Sequence, residues 1–260
     1  MERIRPKKSL GQHFLTDHNI AKKIVNYLNT SSCHNVLELG PGRGILTKYL
    51  AELNEINLLL VEIDQQSVLW LAKYYPGLAD KIINEDFLKL HIDSLFHDSF
   101  ILVGNFPYNI SSQIFFKVLE HKETVIEVVC MIQKEVAERI KAGPGSKTFG
   151  ILSVLLQTFY NIEYLFTVNE SVFEPPPKVK SAVIKLKRNK RKRLPCNEKL
   201  FYKVVKTAFN QRRKMLRNSL KVAFPELQEN NLLKKRPEQL SIEEFIELTA
   251  WIEEKVAKIT

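Results

Sequence analysis

The feature that most constrains the fold is an alternation of short apolar runs with amphipathic stretches through the first 190 residues. The runs are apolar throughout, which is typical of strands that are buried on both faces. Strand alternating with helix predicts an α/β fold, with a parallel sheet covered by helices on both faces. The predicted strands are 36–39, 58–63, 81–83, 101–103, 125–132 and 182–186, and the predicted helices are 46–53, 67–74, 114–119 and 136–140.

The alternation of strand and helix patterns stops after residue 160. Two strand-like segments, 162–168 and 181–186, flank a loop of sequence Phe-Glu-Pro-Pro-Pro at 173–177. The loop leaves no room for a helix, and strands joined without a crossover helix are expected to be antiparallel.

The last third of the chain has helical patterns only. They cover 199–209, 213–223 and 242–256, and Ser241 with Glu244 forms a capping sequence before the last one. A chain of 260 residues exceeds the usual size of one domain. We therefore predict a larger domain at 1–188 and a small all-α domain at 189–260.

A glycine-rich turn follows the first predicted strand. Residues 40–44 read Gly-Pro-Gly-Arg-Gly, and a helical pattern begins at Ile45. Glycines there allow a ligand to approach the backbone N–H groups of a helix N-terminus. The spacing differs from the Gly-x-Gly-x-x-Gly of dinucleotide-binding proteins, so the turn alone is a weak indication.

Two carboxylates follow the next two predicted strands. Glu62 closes its strand about twenty residues after the turn, where a carboxylate commonly binds ribose hydroxyls. Asp86 follows the third strand, where it can accept a hydrogen bond from an adenine amine. Because parallel strand ends meet at one edge of a sheet, these elements predict a nucleoside pocket. A dinucleotide and S-adenosylmethionine both fit such a pocket.

The tetrapeptide Asn105-Phe106-Pro107-Tyr108 follows another apolar run. An amide oxygen, a backbone carbonyl held by a proline and an aromatic ring are the groups needed to grip a flipped-out adenine. The alternative is an ordinary turn at a strand end, with Tyr108 packed over it. The tetrapeptide therefore indicates a base site only together with the nucleoside pocket.

Basic residues are concentrated in one stretch. The chain carries a net charge of +10, and residues 187–221 contain fourteen Lys or Arg against one acid, Glu198. Such clustering favours a nucleic acid through counterion release, and the alternative is a solvated surface. Apolar residues recur within the stretch at helical spacing, which predicts a packed helix with a basic outer face. The candidates for phosphate contacts are Arg212, Arg213, Lys214 and Arg217, together with the N-terminal segment 3–8.

Taken in order, these motifs resemble those of the ribosomal RNA adenine dimethyltransferases. The matching segments are 11–15, 38–44, 61–64, 85–87, 105–111 and 173–181. Six ordered motifs across nearly the whole chain are far more specific than any one of them. The proline-rich segment most resembles the branch that modifies small-subunit ribosomal RNA. Many relatives carry Asn at the position of His13 and Leu at that of Phe106.

The resemblance implies a class I methyltransferase sheet that uses S-adenosylmethionine as methyl donor. The residues that it implies for donor binding are His13, Leu15, Gly40, Glu62, Asp86 and Asn105. It also implies dimethylation of two adjacent adenosines in a hairpin loop of small-subunit (16S) ribosomal RNA, within a partly assembled subunit. A monomer is expected.

The chemistry is expected to depend on positioning. An adenine amine is a poor nucleophile because its lone pair is delocalised into the ring. The side-chain oxygen of Asn105 and the carbonyl of Phe106 would accept its two hydrogens, and Pro107 would fix the turn. Tyr108 would stack on the base, with Phe173 a candidate for the other face.

Composition makes several other classes unfavourable. No stretch approaches the roughly 18 to 20 apolar residues of a membrane helix, so a cytoplasmic protein is expected. The three scattered cysteines are expected to be free thiols, and the dispersed acids argue against a metal. The alternatives left open are a large-subunit methyltransferase conferring antibiotic resistance, a non-catalytic RNA-binding assembly factor and a nicotinamide-dependent oxidoreductase.

Overall fold

The computed structural model describes residues 4–225, 227 and 230–257, and its elements follow the predicted alternation. Within these residues the strands are β1 Phe14–Leu15, β2 Asn35–Leu39, β3 Asn57–Val61, β4 Ile82–Ile83, β5 Phe100–Asn105, β6 Val125–Gln133, β7 Tyr160–Val168, β8 Phe173–Glu174 and β9 Ser181–Arg188. The α-helices are α1 His18–Val25, α2 Ile45–Leu50, α3 Gln65–Tyr74, α4 Ser111–Glu120, α5 Lys134–Lys141, α6 Ile151–Phe159, α7 Glu198–Asn210, α8 Leu216–Leu220 and α9 Ile242–Ala257.

In the described part of the chain, seven strands form one sheet in the order β4-β3-β2-β5-β6-β9-β7. The pairs from β4 to β6 are parallel. Consecutive residues of the central strands, such as Val36 with Leu37 and Ile101 with Leu102, are fully buried. Both faces of these strands are therefore covered, and the predicted α/β fold is confirmed.

The sheet is antiparallel only toward the β7 edge. β9 runs antiparallel to β6 and lies next to β7, so the two segments flanking the proline-rich loop are neighbours. A separate two-stranded sheet pairs β1 antiparallel to β8, with Leu15 opposite Phe173. This pairing, between segments far apart in sequence, is not evident from the sequence.

The chain divides into two compact units. Met1–Ala137 with Asn161–Arg188 form the first unit, and Glu138–Tyr160 with Asn189–Thr260 form the second. The predicted division at residue 188 coincides with the last of these boundaries.

Helix α6 groups with the C-terminal helices, whereas the sequence assigned it to the sheet domain. The reason is packing, since α6 contacts α7 and α9. Aromatic rings fill the space near it: the centroids of Phe149 and Phe209 are 6.1 Å apart, and those of Phe209 and Phe245 are 5.8 Å apart. None of the helices in the described residues is long and apolar enough to span a membrane.

The predicted helix 213–223 is shorter than expected. The backbone turns at 211–214, Met215 is extended with ψ of 150°, and α8 covers only Leu216–Leu220. Leu216 N donates to the carbonyl of Lys235 at 2.8 Å, so its N–H bonds to a neighbouring segment and not within a longer helix. Leu216 and Leu220 are buried as predicted, and Met215 is exposed.

Helix α9 begins with the predicted capping box. Glu244 N donates to Ser241 Oγ at 3.1 Å, and Ser241 N donates to Glu244 Oε2 at 2.8 Å. Replacing Ser241 by Ala removes one of these bonds, so we expect the free energy of unfolding to fall by about 1 kcal/mol. Urea titration measures this, with Glu247→Ala on an exposed position of the same helix as control. Equal stability of the two variants would contradict a role for the cap.

Candidate active site

A cleft opens at the carboxyl ends of β2, β3 and β5. It is lined by residues that end or follow these strands and by the N-terminal residues 9–14. Parallel strands bring such distant residues together at one edge of the sheet. The lining includes the predicted residues His13, Gly40, Glu62, Asp86, Asn105 and Tyr108. The predicted nucleoside pocket and the tetrapeptide 105–108 therefore line one cavity.

The glycine turn has a backbone that other residues rarely adopt. Gly40 and Gly42 have φ values of +66° and +55°, in the left-handed region. A Cβ on Gly42 would lie 2.7 Å from the Phe14 ring. Gly40 N donates to the carbonyl of Val61 at 2.9 Å, which ties the turn to β3. At the glycine turn, the cleft is therefore bordered by backbone atoms without side chains.

Glu62 is held in place by backbone N–H groups. Its Oε2 accepts a hydrogen bond from Gly42 N at 3.0 Å, and its Oε1 accepts one from Asp64 N at 2.8 Å. Burial raises the pKa of Glu62, while these bonds act in the opposite direction. A carboxylate has about four acceptor sites, so Glu62 retains acceptor capacity for a ligand hydroxyl.

Asp86 lies on the loop between β4 and β5. Its Oδ1 accepts a hydrogen bond from Leu88 N at 2.9 Å. Lys117 of α4 donates to the carbonyl of Leu88 at 3.0 Å and to that of Leu90, and burial lowers the pKa of Lys117. The lysine therefore positions the loop that carries Asp86. Sequence reasoning missed it, and its only signal is a lone lysine within the predicted helix 114–119.

Asn105 ends β5, and its amide is oriented by the N-terminal segment. Its Nδ2 donates to the carbonyl of His13 at 2.8 Å. Among the described residues, none donates to its Oδ1 or to the carbonyl of Phe106, whose own N–H bonds to the carbonyl of Met131 at 3.0 Å. Two adjacent residues that line the cleft thus each retain an acceptor.

Tyr108 is restrained at its hydroxyl and on its ring. The hydroxyl forms a short hydrogen bond with Ser181 Oγ, and burial raises the pKa of Tyr108. The imidazole of His13 stacks against the phenol ring with centroids 5.5 Å apart and planes at 28°. His13 Nδ1 is also 2.8 Å from the carbonyl of Pro175. His13 thus borders the cleft, and its ring contacts Tyr108 and the proline-rich loop.

Leu15 and Phe173 do not line the cleft itself, although Leu15 borders a small adjoining cavity together with Gly40 and Asn105. Leu15 and Phe173 face each other across the β1–β8 pair and are 5 % and 4 % exposed, within the hydrophobic core. A buried Phe173 ring presents no face to a base, so its predicted stacking role does not agree with its placement. The side chain of Leu15 supports the core beneath the cleft.

The predicted phosphate contacts differ in their surroundings. Arg213, Lys214 and Arg217 are exposed, and no ion pair to them is found in the described part of the chain. Arg212 instead donates to the carbonyl of Ser146 at 3.2 Å and lies 4.0 Å from a carboxylate oxygen of Glu238. Arg212 is therefore partly neutralised within its own unit.

The basic residues of the N-terminal segment also differ in their surroundings. Arg3 lies outside the described residues, while Arg5 and Lys8 are exposed. Lys7 pairs with the buried Asp64 through a 2.6 Å contact, and this pairing helps to lower the pKa of Asp64. Lys7 thus fastens the N-terminal segment beside the cleft.

Glu38, from the motif before the glycine turn, is fully buried. Its Oε2 accepts a hydrogen bond from Thr47 Oγ1 at 2.7 Å, and its Oε1 has no partner among the described residues. Burial raises the pKa of this carboxyl to about 8. Glu38 is therefore protonated over most of the neutral range.

Fold and site together define a methyltransferase-like cleft that contains the tetrapeptide 105–108, and comparison with known proteins agrees. The sequence profile described as ribosomal RNA adenine dimethylase matches residues 3–254. The chain belongs to this family of enzymes.

Two similar proteins carry a name that is more specific than that of the family. The chain is 56 % identical to a "Ribosomal RNA small subunit methyltransferase A" of Bacteroides thetaiotaomicron, over 100 % of this chain and 98 % of the relative. It is 57 % identical to the protein of the same name in Flavobacterium johnsoniae, over 97 % of this chain and 98 % of that one.

Solved structures share the whole fold. A dimethyladenosine transferase from Plasmodium falciparum superposes with a TM-score of 0.77 at 25 % identity, covering 94 % of this chain and 98 % of that one. The 23S rRNA methyltransferase ErmE superposes with a TM-score of 0.65 at 25 % identity, covering 90 % of this chain and 98 % of that one.

The buried carboxyl of Glu38 predicts a pH-dependent stability. Its pKa rises from 4.5 to about 8 on folding, so its contribution is complete below pH 4.5 and is lost as the pH rises toward 8. Relative to Glu38→Gln, the wild type should lose stability over this range, on the order of 5 kcal/mol for the full shift. Urea titrations between pH 5 and pH 9 measure the difference. A constant difference would contradict a buried, protonated Glu38.

Proposed function

We propose that the protein transfers methyl groups from S-adenosylmethionine to the exocyclic amines of two adjacent adenosines in a hairpin loop of small-subunit (16S) ribosomal RNA. The small subunit is favoured because relatives at 50–57 % identity carry the small-subunit name. The 23S enzyme ErmE shares the fold at only 25 % identity. The proposed substrate is a partly assembled subunit in the cytoplasm, where its modification would contribute to subunit biogenesis.

The observation that carries the proposal is the pair of free acceptors at Asn105 and Phe106. Because the Asn105 amide nitrogen is bonded to the His13 carbonyl, its oxygen is the end left for a substrate. An exocyclic amine has two hydrogens and needs two acceptors at adjacent positions. Hydrogen bonds to both favour a pyramidal nitrogen, whose lone pair is then available for attack.

The residues at the strand ends fit S-adenosylmethionine as methyl donor. Glu62 suits the ribose hydroxyls, Asp86 suits the adenine amine, and the Gly40 turn lets backbone approach the ligand. When bound, the donor supplies an electrophilic methyl group on a sulfonium. A methylated aminium is acidic enough to lose its proton to water, so no strong base is assigned.

The tetrapeptide also binds the target base. Tyr108 offers an aromatic face on the cleft, and stacking on it offsets part of the cost of unstacking the base from RNA. Pro107 fixes the backbone turn that aims the carbonyl of Phe106. Phe173 is not retained for the second face, because its ring is buried.

The two units suggest a division of labour. The first contains the whole cleft, while the second carries the exposed bases Arg213, Lys214 and Arg217. We infer that the second unit supplies phosphate contacts and that the first performs the chemistry.

The test is transfer of labelled methyl groups to isolated ribosomal subunits from cells that lack the modification. Dimethyladenosine in small-subunit RNA, identified by mass spectrometry, is the expected product. Label in large-subunit RNA would instead support the antibiotic-resistance alternative. Absence of label in both would support a non-catalytic assembly factor.

Replacing Asn105 by Ala should lower kcat by at least about 100-fold, because an acceptor that orients the nucleophile is lost. Binding of S-adenosylmethionine, measured by calorimetry, should only weaken. The control is Asn57→Ala, at the exposed start of β3 on the opposite end of the sheet. An Asn105→Ala enzyme with wild-type turnover would refute the proposed mechanism.

Reversing the charge of Arg213, Lys214 and Arg217 together to Glu should weaken RNA binding by about tenfold or more at moderate salt. The salt dependence of binding should become shallower by about one for each phosphate that the variant no longer binds. Filter binding over a series of salt concentrations measures both effects, while donor affinity should be unchanged.

The matched control reverses Lys22, Lys48 and Lys73, which are exposed on helices of the first unit. This control changes the net charge by the same amount. If both triple variants lose the same affinity, net charge alone matters and the assignment of a phosphate-binding surface to the second unit is wrong.

A further inference from the structure

The imidazole of His13 makes contacts that its role in a donor site does not explain. The backbone carbonyl of His13 accepts the hydrogen bond that orients Asn105. The side chain points to a different partner set, since Nδ1 lies 2.8 Å from the carbonyl of Pro175 and the ring stacks on Tyr108. Backbone and side chain of one residue thus serve two different parts of the cleft.

The contact with Pro175 fixes the imidazole. A carbonyl oxygen only accepts, so Nδ1 must carry the hydrogen, and the plane of the ring is set. Pro175 belongs to the proline-rich loop, which continues toward Ser181, the partner of the Tyr108 hydroxyl. The loop therefore restrains Tyr108 twice, directly through Ser181 and indirectly through His13.

The stacking geometry determines which face of Tyr108 remains for a ligand. A separation of 5.5 Å between the centroids leaves no room for a base between the two rings. His13 thus covers one face of the phenol ring, and only the opposite face can receive a flipped adenine. An aromatic neighbour on the far side stabilises the ring in this orientation.

We propose that the His13 imidazole is a positioning residue for the target base, which holds Tyr108 and the proline-rich loop so that adenine stacks on the uncovered face of Tyr108. This inference rests on the proposed function. It assigns the side chain to RNA binding and leaves only the backbone of His13 at the Asn105 amide. His13 lies on the side of Tyr108 away from the base, so it supports Tyr108 and does not take the second face of the base that was predicted for Phe173.

The experiment compares His13→Ala, His13→Phe and His13→Asn in the full chain, with small-subunit particles as methyl acceptor. His13→Ala should raise the KM for RNA by about tenfold, because Tyr108 loses its neighbour. The Kd for S-adenosylmethionine should stay at the wild-type value. His13→Phe keeps the stacked ring and should recover most of the loss, whereas His13→Asn keeps only a polar group and should recover less.

The control is His18→Ala on α1, whose exposed ring makes an edge-type contact with that of Tyr49 at a centroid distance of 6.0 Å, and it should behave as wild type. Urea unfolding identifies any variant that is destabilised. If His13→Ala is destabilised, the kinetics of His13→Phe test the inference instead. A donor Kd that rises in step with the KM for RNA would overturn the inference, as would wild-type kinetics of His13→Ala or equal losses in the Ala and Phe variants.

A failure of the proposed function would give a different experimental result from a failure of the inference. If the wild-type protein transfers no methyl group to small-subunit RNA, the proposed function fails and the inference falls with it. If the wild type is active and the His13 variants do not follow the expected order, only the inference fails.

Discussion

The hydrogen bond from the Asn105 amide to the carbonyl of His13 decides which end of that amide faces a substrate. With the nitrogen bonded, the oxygen remains as an acceptor beside the carbonyl of Phe106. Reversing the amide would put a donor in its place, which would repel the hydrogens of an amine. The chemistry of the cleft therefore depends on a contact between the end of a central strand and the N-terminal segment.

That segment is itself held in several places. Lys7 pairs with Asp64, and Gln12 donates to the same carboxylate at 3.2 Å. Arg43 of the glycine turn donates to the carbonyl of Ile4 at 2.8 Å and pairs with Glu174 of the proline-rich loop. The glycine turn, the N-terminal segment and the proline-rich loop are thus connected by polar contacts within one unit.

Much of this arrangement is predictable from sequence, for a clear physical reason. Strands buried on both faces produce continuous apolar runs, and parallel strands end at one edge of the sheet. The sequence therefore predicts that the motifs at Gly40, Glu62, Asp86 and Asn105 share one pocket. Local patterns also predicted the capping box at Ser241, because both of its partners lie within four residues.

The placements that the sequence did not indicate come from contacts between segments distant in sequence. The β1–β8 pairing buries Leu15 and Phe173, and neither segment alone indicates the other. Arg212 belongs to a basic run, yet Glu238 lies close enough to form an ion pair with it. Helix α6 lies between two strands of the sheet in sequence but packs with later helices. In each case tertiary packing overrides the local pattern.

A crystal structure of the protein with a small-subunit hairpin RNA and a non-reactive analogue of S-adenosylmethionine tests the central claim most directly. The predicted result is a flipped adenosine whose amine nitrogen lies within hydrogen-bonding distance of Asn105 Oδ1 and the carbonyl of Phe106, on the side of the donor sulfur. An adenosine bound elsewhere, or an Asn105 amide that turns its nitrogen toward the base, would contradict it.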